Sequence, residues 1–138
     1  MDSVKVSSII EKMNLLKLTP DISTDDILVT HPDINRPALQ LADFYDYFDR
    51  ERVQIIGYVE NAYLNSLDRE TRIQRYKRLF ESKIPCLVFC RGIQPEEEVI
   101  EMANECGVPL LKSEASTSSF MAEIIRWLKV QLAPTISI

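Results

Sequence analysis

The stretch CLVFC, Cys86–Cys90, has five apolar residues in succession and decides the fold. A strand with one solvated face alternates apolar and polar residues, whereas a strand covered on both faces is apolar throughout. Pro85 directly precedes the stretch and ends a helical pattern, because proline cannot donate a helical hydrogen bond. The stretch therefore predicts a central strand of a parallel sheet.

Upstream of this strand, the pattern predicts one strand and two helices. The run VQIIGYV, Val53–Val59, is rich in β-branched residues and predicts a strand. A short helix is predicted over Asn61–Leu67. A longer helix is predicted from a cap at Asp68 through about Ser82, because apolar residues recur there at helical spacing: Ile73, Tyr76, Leu79 and Phe80.

Downstream, strands and helices continue to alternate. Pro95, placed in a first turn and followed by three glutamates, predicts a helix start, and Gly107 predicts its left-handed end. The run VPLLK, Val108–Lys112, predicts another strand, and STSS, Ser116–Ser119, opens a last helix through about Leu132. Such alternation is typical of parallel strands joined by right-handed crossovers, so we expect an α/β domain with a mostly parallel sheet and crossover helices.

The N-terminal third is less regular. Two short apolar runs, Leu15–Leu18 and Ile27–Thr30, predict edge strands. After them, Asn35, Arg36 and Pro37 lead into a short helix, on which we expect three residues to pack inward: Leu39, Leu41 and Ala42.

An aromatic segment follows this short helix, with four rings in five residues beside three aspartates. The rings belong to Phe44, Tyr45, Tyr47 and Phe48. We expect some of them to cover the sheet. The others either contact a neighbouring domain or subunit, or are exposed tyrosines with no partner, and the residues leave both readings open.

Composition bounds the class of protein. The 138 residues are 46% hydrophobic and 27% charged, which fits one soluble globular domain. A net charge of -5 disfavours general binding to nucleic acid or anionic lipid. No apolar run approaches the roughly 18 residues that span a bilayer, so we expect a cytoplasmic chain with neither a membrane nor a nucleic-acid partner.

Few residues could support catalysis. His31 is the single histidine, and the three glycines form neither a P-loop nor Gly-x-Gly-x-x-Gly, so no catalytic, cofactor-binding or metal-binding residue is predicted. Cys86 and Cys90 share a strand face about 13 Å apart, too far for a disulfide. With Cys106 the cysteine count is odd and no Cys-x-x-Cys occurs, so all three are predicted to be buried thiols.

Two polar clusters could each form a binding surface. Arg69, Arg72 and Arg75 form a stripe on one helix, either a solvated face or a surface for an acidic partner or RNA, and the solvated face is favoured. The second is an anion rim at the start of the last helix, defined by Arg91, Lys112, Ser116, Thr117 and Ser118. Free N–H groups at a helix N-terminus favour an anion, although capping by one of the hydroxyls is the favoured interpretation of the serines.

Three segments in order resemble a known family: INRPALQLADFYDYFDRERVQIIGYVENAYLNSL, KIPCLVFCRG and GVPLLKSEASTSSFMAEIIRWLKVQLAP. They resemble the N-terminal domain of bacterial HPr kinase/phosphorylase over nearly the whole chain. The resemblance implies that residues 1–132 form this domain and that residues 133–138 begin a linker to a C-terminal kinase domain. That domain's fold is in turn similar to the uridine-nucleotide-binding N-terminal domain of Mur ligases.

The resemblance also implies a function for the parent protein. Such an enzyme uses ATP or pyrophosphate with Mg²⁺ to phosphorylate a serine of HPr, removes the phosphate by phosphorolysis, and regulates sugar uptake through carbon catabolite control. In the family, a hexamer forms and the C-terminal domain carries the P-loop and the catalytic His and Asp, so this chain is expected to be an inactive regulatory or assembly domain. The alternatives are a stand-alone Mur-like sensor of nucleotides or anions, and a partner-docking module.

Overall fold

Seven strands and six helices make up the structure, a computed structural model that describes residues 2–134. The strands are β1 (Val4–Lys5), β2 (Leu16–Lys17), β3 (Leu28–Val29), β4 (Ile34–Asn35), β5 (Val53–Ile56), β6 (Leu87–Phe89) and β7 (Leu110–Lys112). The helices are α1 (Val6–Met13), α2 (Ala38–Leu41), α3 (Tyr58–Ser66), α4 (Arg69–Glu81), α5 (Glu97–Cys106) and α6 (Thr117–Gln131).

The main sheet has five strands in the order β2-β7-β6-β5-β4, with β6 at its centre as predicted. Strands β4 to β7 are parallel and in register, with Ile55 beside Val88 and Val88 beside Leu111. Strand β2 is an antiparallel edge strand, and β3 pairs instead with β1 in a separate two-stranded sheet. The prediction of an α/β fold with a mostly parallel sheet is confirmed.

Helices cover both faces of the sheet and create two apolar cores. Because successive strand residues point to opposite faces, the apolar run of β6 serves both cores. Val88 faces α1 and α6, in a cluster with Ile9, Phe120, Ile124 and Leu128. Leu87 and Phe89 face α2 to α5, in a cluster with Leu64, Leu79, Phe80 and Val99.

The predicted helix ends are largely confirmed. Asp68 caps α4 by accepting the Thr71 N–H at 2.8 Å, and this bond holds the pKa of the Asp68 carboxyl below its usual range. Gly107 ends α5 with a φ of 74°. Pro95 lies one residue before the cap of α5, because the helix starts at Glu97, so its predicted place in the first turn is wrong.

Strand β5 is shorter than predicted. It ends at Ile56, and α3 starts at Tyr58 rather than at Asn61. The Glu60 carboxylate accepts the Gly57 N–H at 2.7 Å and so draws the helix start toward the strand. The sequence pattern also missed β4, whose two residues are too few to show a period.

A buried amide network fixes β4 beside β5. Asn35 Nδ2 donates to Gln54 Oε1 at 2.7 Å and to Gln40 Oε1 at 3.1 Å. Gln54 is fully buried and donates in turn to the Arg52 carbonyl. Since buried polar groups need partners, this network specifies the register of a two-residue strand.

Helix α2 does not pack as predicted. Leu41 is buried, but Leu39 is 61% exposed and Ala42 is exposed as well, so two of the three inward residues were assigned wrongly. A helix of four residues is a single turn and can bury only one side, which here carries Gln40 and Leu41.

The aromatic segment divides between core and solvent. Phe48 packs against the core under α2 to α5, and Tyr45 contacts Phe48 edge to face at 5.4 Å. Phe44 is 47% exposed and Tyr47 is completely exposed. The segment thus covers part of the core, as expected, and leaves two rings available for contact.

The cysteines differ in burial. Burial raises the pKa of Cys86 to about 12 and that of Cys90 to about 11, as expected for buried thiols. Cys106 is only partly buried, so the prediction of three buried thiols is wrong for this residue, which ends α5 at the surface. Most of the predicted linker, residues 135–138, lies outside the described residues. No helix within residues 2–134 is long and apolar enough to cross a bilayer.

Candidate functional site

The carboxyl ends of the four parallel strands meet at one edge of the sheet, where ligands of open α/β sheets usually bind. Arg36 follows β4, Gly57 follows β5, Arg91 follows β6 by two residues, and Ser113 follows β7. Helices α3 and α6 both begin at this edge, which we call the carboxyl edge. Two helix N-termini and two arginines therefore converge there.

One carboxylate oxygen organises the β4 side of this edge. Glu60 Oε1 accepts hydrogen bonds from Arg36 Nη2 at 2.8 Å, from Arg36 Nε at 3.3 Å and from the Gly57 N–H. The Glu60 side chain is 3% exposed, whereas that of Arg36 is 35% exposed. Because these three donors come from the ends of β4 and β5, the carboxylate connects both strands to the first turn of α3.

Gly57 allows an unusually close approach of two side chains. A Cβ at this position would lie 2.5 Å from Thr117 Oγ1 and 2.9 Å from Arg36 Nη2, both far inside contact distance. The Thr117 hydroxyl is buried and lies beside the Cys90 thiol, its nearest candidate for a weak hydrogen bond. Burial raises the pKa of this thiol, and the Thr117 hydroxyl opposes that effect.

Arg91 is the exposed cation of the carboxyl edge. Its backbone is left-handed, with a φ of 58°, and its N–H donates to the Ala115 carbonyl. Its guanidinium lies 4.5 Å from the centre of the Tyr58 ring, a cation–π distance. Within residues 2–134 it forms no ion pair with a carboxylate, unlike Arg36, Arg69 and Arg72.

The structure brings together only part of the predicted anion rim. Ser116 Oγ accepts the Ser119 N–H at 3.3 Å, so Ser116 acts as the cap of α6, and Ser118 is exposed. The Arg91 backbone lies beside this helix start. Lys112 is on the other face of the sheet, beside Phe89 in the register, and its ammonium donates to Gln94 Oε1 at 3.1 Å.

A small polar cavity of about 100 Å³ lies near Lys112, between α3, α4 and the start of α5. Its lining includes three amides, one guanidinium and the phenol of Tyr76: Asn61, Asn65, Gln94, Arg72 and Tyr76. Burial and the nearby Glu96 carboxylate raise the pKa of Tyr76. Sequence reasoning missed this cavity, because its residues come from three separate segments.

The arginine stripe is engaged within the domain. Arg69 pairs with Glu98, and Arg72 Nε donates to Glu96 Oε1 at 2.7 Å. Arg75 donates to the Leu41 carbonyl at 2.6 Å and to the Tyr63 hydroxyl at 3.1 Å. These contacts join α4 to α2, α3 and α5, so each arginine of the stripe has a partner inside the domain.

His31 lies away from the carboxyl edge. Its Nε2 is 3.5 Å from Asp49 Oδ2, and its Nδ1 accepts the Asp33 N–H. Neither contact involves a serine or cysteine that it could activate. Residues 2–134 contain no group of three His, Cys, Asp or Glu side chains placed to hold a metal ion.

Comparison with known protein families shows which family this chain belongs to. The family model described as "HPr Serine kinase N terminus" matches residues 4–128. The chain belongs to this family. The recognition of an HPr kinase/phosphorylase N-terminal domain from the sequence is thereby confirmed.

Curated relatives of this HPr serine kinase N-terminal chain are named HPr kinase/phosphorylase. One from Lachnoclostridium phytofermentans is 54% identical over 138 residues, which are 100% of this chain and 45% of the relative. One from Alkaliphilus metalliredigens is 39% identical over all of this chain and 44% of the relative. The chain thus spans less than half the length of these relatives.

A solved structure supports the fold of the family domain. It contains the CBS and DRTGG domains of the regulatory region of Clostridium perfringens pyrophosphatase, complexed with the activator diadenosine tetraphosphate. The TM-score is 0.64 with 16% identity, over 95% of this chain and 50% of the other. At this identity the likeness shows a shared α/β fold and nothing about ligands.

Proposed function

We propose that the chain is the non-catalytic N-terminal regulatory and assembly domain of a longer HPr serine kinase/phosphorylase. The observation that carries this proposal is the family match over residues 4–128, together with relatives of that name that are more than twice as long. The parent enzyme is proposed to act in the cytoplasm, in carbon catabolite regulation.

In this proposal, catalysis belongs to the rest of the polypeptide. The parent enzyme phosphorylates a serine of HPr with ATP or pyrophosphate and Mg²⁺, and removes the phosphate by phosphorolysis. The division is supported by the three glycines of this chain, which are far apart in sequence and form no phosphate-cradling loop. It is also supported by the carboxyl edge, where Glu60 is committed to structural hydrogen bonds.

The assembly role is supported by the aromatic segment. Arg78 pairs with Asp43, and its guanidinium lies 4.1 Å from the centre of the Tyr45 ring, which fixes the segment against α4. Tyr47 is nevertheless fully exposed, on a left-handed backbone with a φ of 62°. An exposed ring on a segment that is held against α4 suits contact with another subunit of the proposed hexamer.

Phosphate transfer from ATP to HPr tests the proposal. The longer protein and the 138-residue chain are each incubated with HPr, Mg²⁺ and γ-labelled ATP. We expect label on a serine of HPr with the longer protein and none with the chain alone. Transfer by the pure chain, or none by the longer protein, contradicts the proposal.

Ligand sensing at the carboxyl edge is a second candidate function. It is favoured by the Arg91 guanidinium, which is exposed and without a carboxylate partner among the described residues, beside the starts of α3 and α6. A negatively charged ligand is the class that two helix N-termini and an arginine prefer. The separate placement of Lys112 limits the site to the α6 side of the sheet.

A further inference from the structure

The edge of the sheet opposite the carboxyl edge carries an open groove of about 430 Å³. Strands β5, β6 and β7 begin there, so we call it the amino-edge groove. Its lining comes from the β3 strand, from the end of the aromatic segment and from the turns before β6 and β7: Ile27, Leu28, Thr30, Arg50, Glu51, Lys83, Ile84, Pro85, Gly107 and Val108.

The floor of the groove is apolar and its walls are fixed. Ile84 and Val108 are almost completely buried, whereas Leu28 at the rim is 53% exposed. Lys83 Nζ donates to the Cys106 carbonyl at 2.7 Å, which ties the turn before β6 to the end of α5. An exposed leucine over a preformed apolar floor gains free energy when another apolar surface covers it.

The charges at the rim include one unused cation. Arg50 forms no ion pair with a carboxylate within residues 2–134, whereas neighbouring Arg52 lies 3.4 Å from Asp49. Lys83 already has the Cys106 carbonyl as its acceptor. The Glu51 carboxylate also lines the groove and forms no ion pair within residues 2–134. A partner that fits the groove therefore presents an apolar side chain to Leu28 and a carboxylate that pairs with Arg50 away from Glu51.

The path of the chain indicates which partner is available. Helix α6 begins at the carboxyl edge, where Thr117 lies against Gly57, and packs on the sheet through Phe120, Ile124 and Leu128. Its 15 residues are about 22 Å long, at 1.5 Å per residue, which exceeds the length of a four-residue strand. The helix therefore ends beyond the start of the strands, on the same side of the domain as the groove.

We propose that the amino-edge groove docks the C-terminal half of the longer polypeptide. The family match is to an N terminus, and this chain makes up 45% of a relative's length, so more than half of such a protein follows α6, which ends on the groove's side of the domain. Covalent attachment gives that half a high effective concentration at the groove, so a modest apolar contact is enough to hold it there. The inference rests on the proposed function only in requiring that second half.

Photo-crosslinking of the full-length protein tests the docking. Benzoylphenylalanine replaces Leu28 in the groove or, as a matched control, Leu16, which is 56% exposed on edge strand β2 and outside the groove. Copies with natural and with ¹⁵N isotopes are mixed before irradiation, and crosslinked peptides are identified by mass spectrometry. We expect position 28 to crosslink to residues beyond 138 of its own copy, at least about five-fold more than position 16 does.

Two further measurements keep the outcomes distinct. Arg50→Glu in the same protein is expected to lower the position-28 crosslink about three-fold or more, because it places a like charge against the partner's carboxylate. Crosslinks to a second copy or to added HPr, or a yield no higher than at position 16, overturn the inference. Label transfer from ATP to HPr is measured on the same samples: its absence contradicts the proposed function, whereas intact transfer without the crosslink contradicts only the docking.

Discussion

Arg36, which follows β4, donates a 2.8 Å hydrogen bond to Glu60, which lies in the first turn of α3 and is buried. Removal of one partner of such a pair leaves the other charge without its counter-ion. We expect Arg36→Ala to lower the free energy of unfolding by about 1.5–3 kcal/mol, the range for a hydrogen bond to a charged group. Urea denaturation measures the change. Arg69→Ala, which breaks the exposed pair with Glu98, should cost less than about 1 kcal/mol, and equal costs would contradict the structural role of Glu60.

Gly57 is required because Thr117 and Arg36 occupy the place of its side chain. We expect Gly57→Ala to destabilise the domain by about 1–3 kcal/mol, the usual cost of overpacking. The Gly57 φ of -118° suits alanine, so backbone strain is not the cause. Adding Thr117→Ala should recover part of the loss, because it removes the nearest clashing atom. If the double variant is no more stable than Gly57→Ala, the contact between the added methyl group and Thr117 is not the cause of the destabilisation.

The raised pKa of the Tyr45 hydroxyl predicts a loss of stability at alkaline pH. Burial is the main effect that raises the pKa of its hydroxyl from 10.0 to about 12, with Arg78 opposing it. The folded state favours the neutral phenol. The protonated Tyr45 hydroxyl therefore makes its full contribution to the free energy of unfolding below about pH 10, and that contribution is lost as the pH rises toward about 12.

Denaturation of the wild type and of Tyr45→Phe between pH 8 and about 12 measures this effect. The Tyr45 hydroxyl has no hydrogen-bond partner among the described residues, so the phenylalanine variant should be as stable as the wild type near neutral pH. Above about pH 10 it should be the more stable of the two. Parallel curves over the whole range would refute the assignment to Tyr45.

Anion binding at the carboxyl edge can be tested through the melting temperature. We expect phosphate, pyrophosphate or a uridine nucleotide to raise the melting temperature at constant ionic strength. Arg91→Ala should lose that shift, whereas Lys112→Ala, on the other face of the sheet, should keep it. At about 100 times the dissociation constant, a ligand adds roughly 2.7 kcal/mol to stability. Ser116→Ala should cost about 0.5–2 kcal/mol with or without ligand, because Ser116 caps α6. If no anion shifts the wild type, the rim is a helix cap alone.

The second half of the fold was accessible from the sequence because its signals are local. The apolar run at Cys86–Cys90, the cap at Asp68 and the left-handed Gly107 each depend on a few neighbouring residues. The alternation of these strands with helices predicts that they are parallel, whereas their order is known from the structure. Short elements in the first half lack such signals, and β4 exists because Asn35 finds Gln54 across the sheet.

The candidate site was less accessible, because its residues meet only in three dimensions. The serines at the start of α6 were recognised, but nothing in the sequence shows that Lys112 turns to the other face toward Gln94. The pairing of Arg36 with Glu60 spans 24 residues and was not anticipated. Gly57 was read as part of a strand, although its role depends on Thr117, which is 60 positions away in sequence.

Helix α6 is the last element of the domain to leave the ribosome, and its position has a consequence for synthesis. Until residues 117–131 emerge, the sheet face that carries Ile55, Val88 and Leu111 is covered only by α1 and by residues of the small β1–β3 sheet. The nascent chain therefore exposes an apolar face late in translation, when chaperones can bind it. The relatives are more than twice as long as this chain, so in such a polypeptide α6 can complete this core while later residues are still being made.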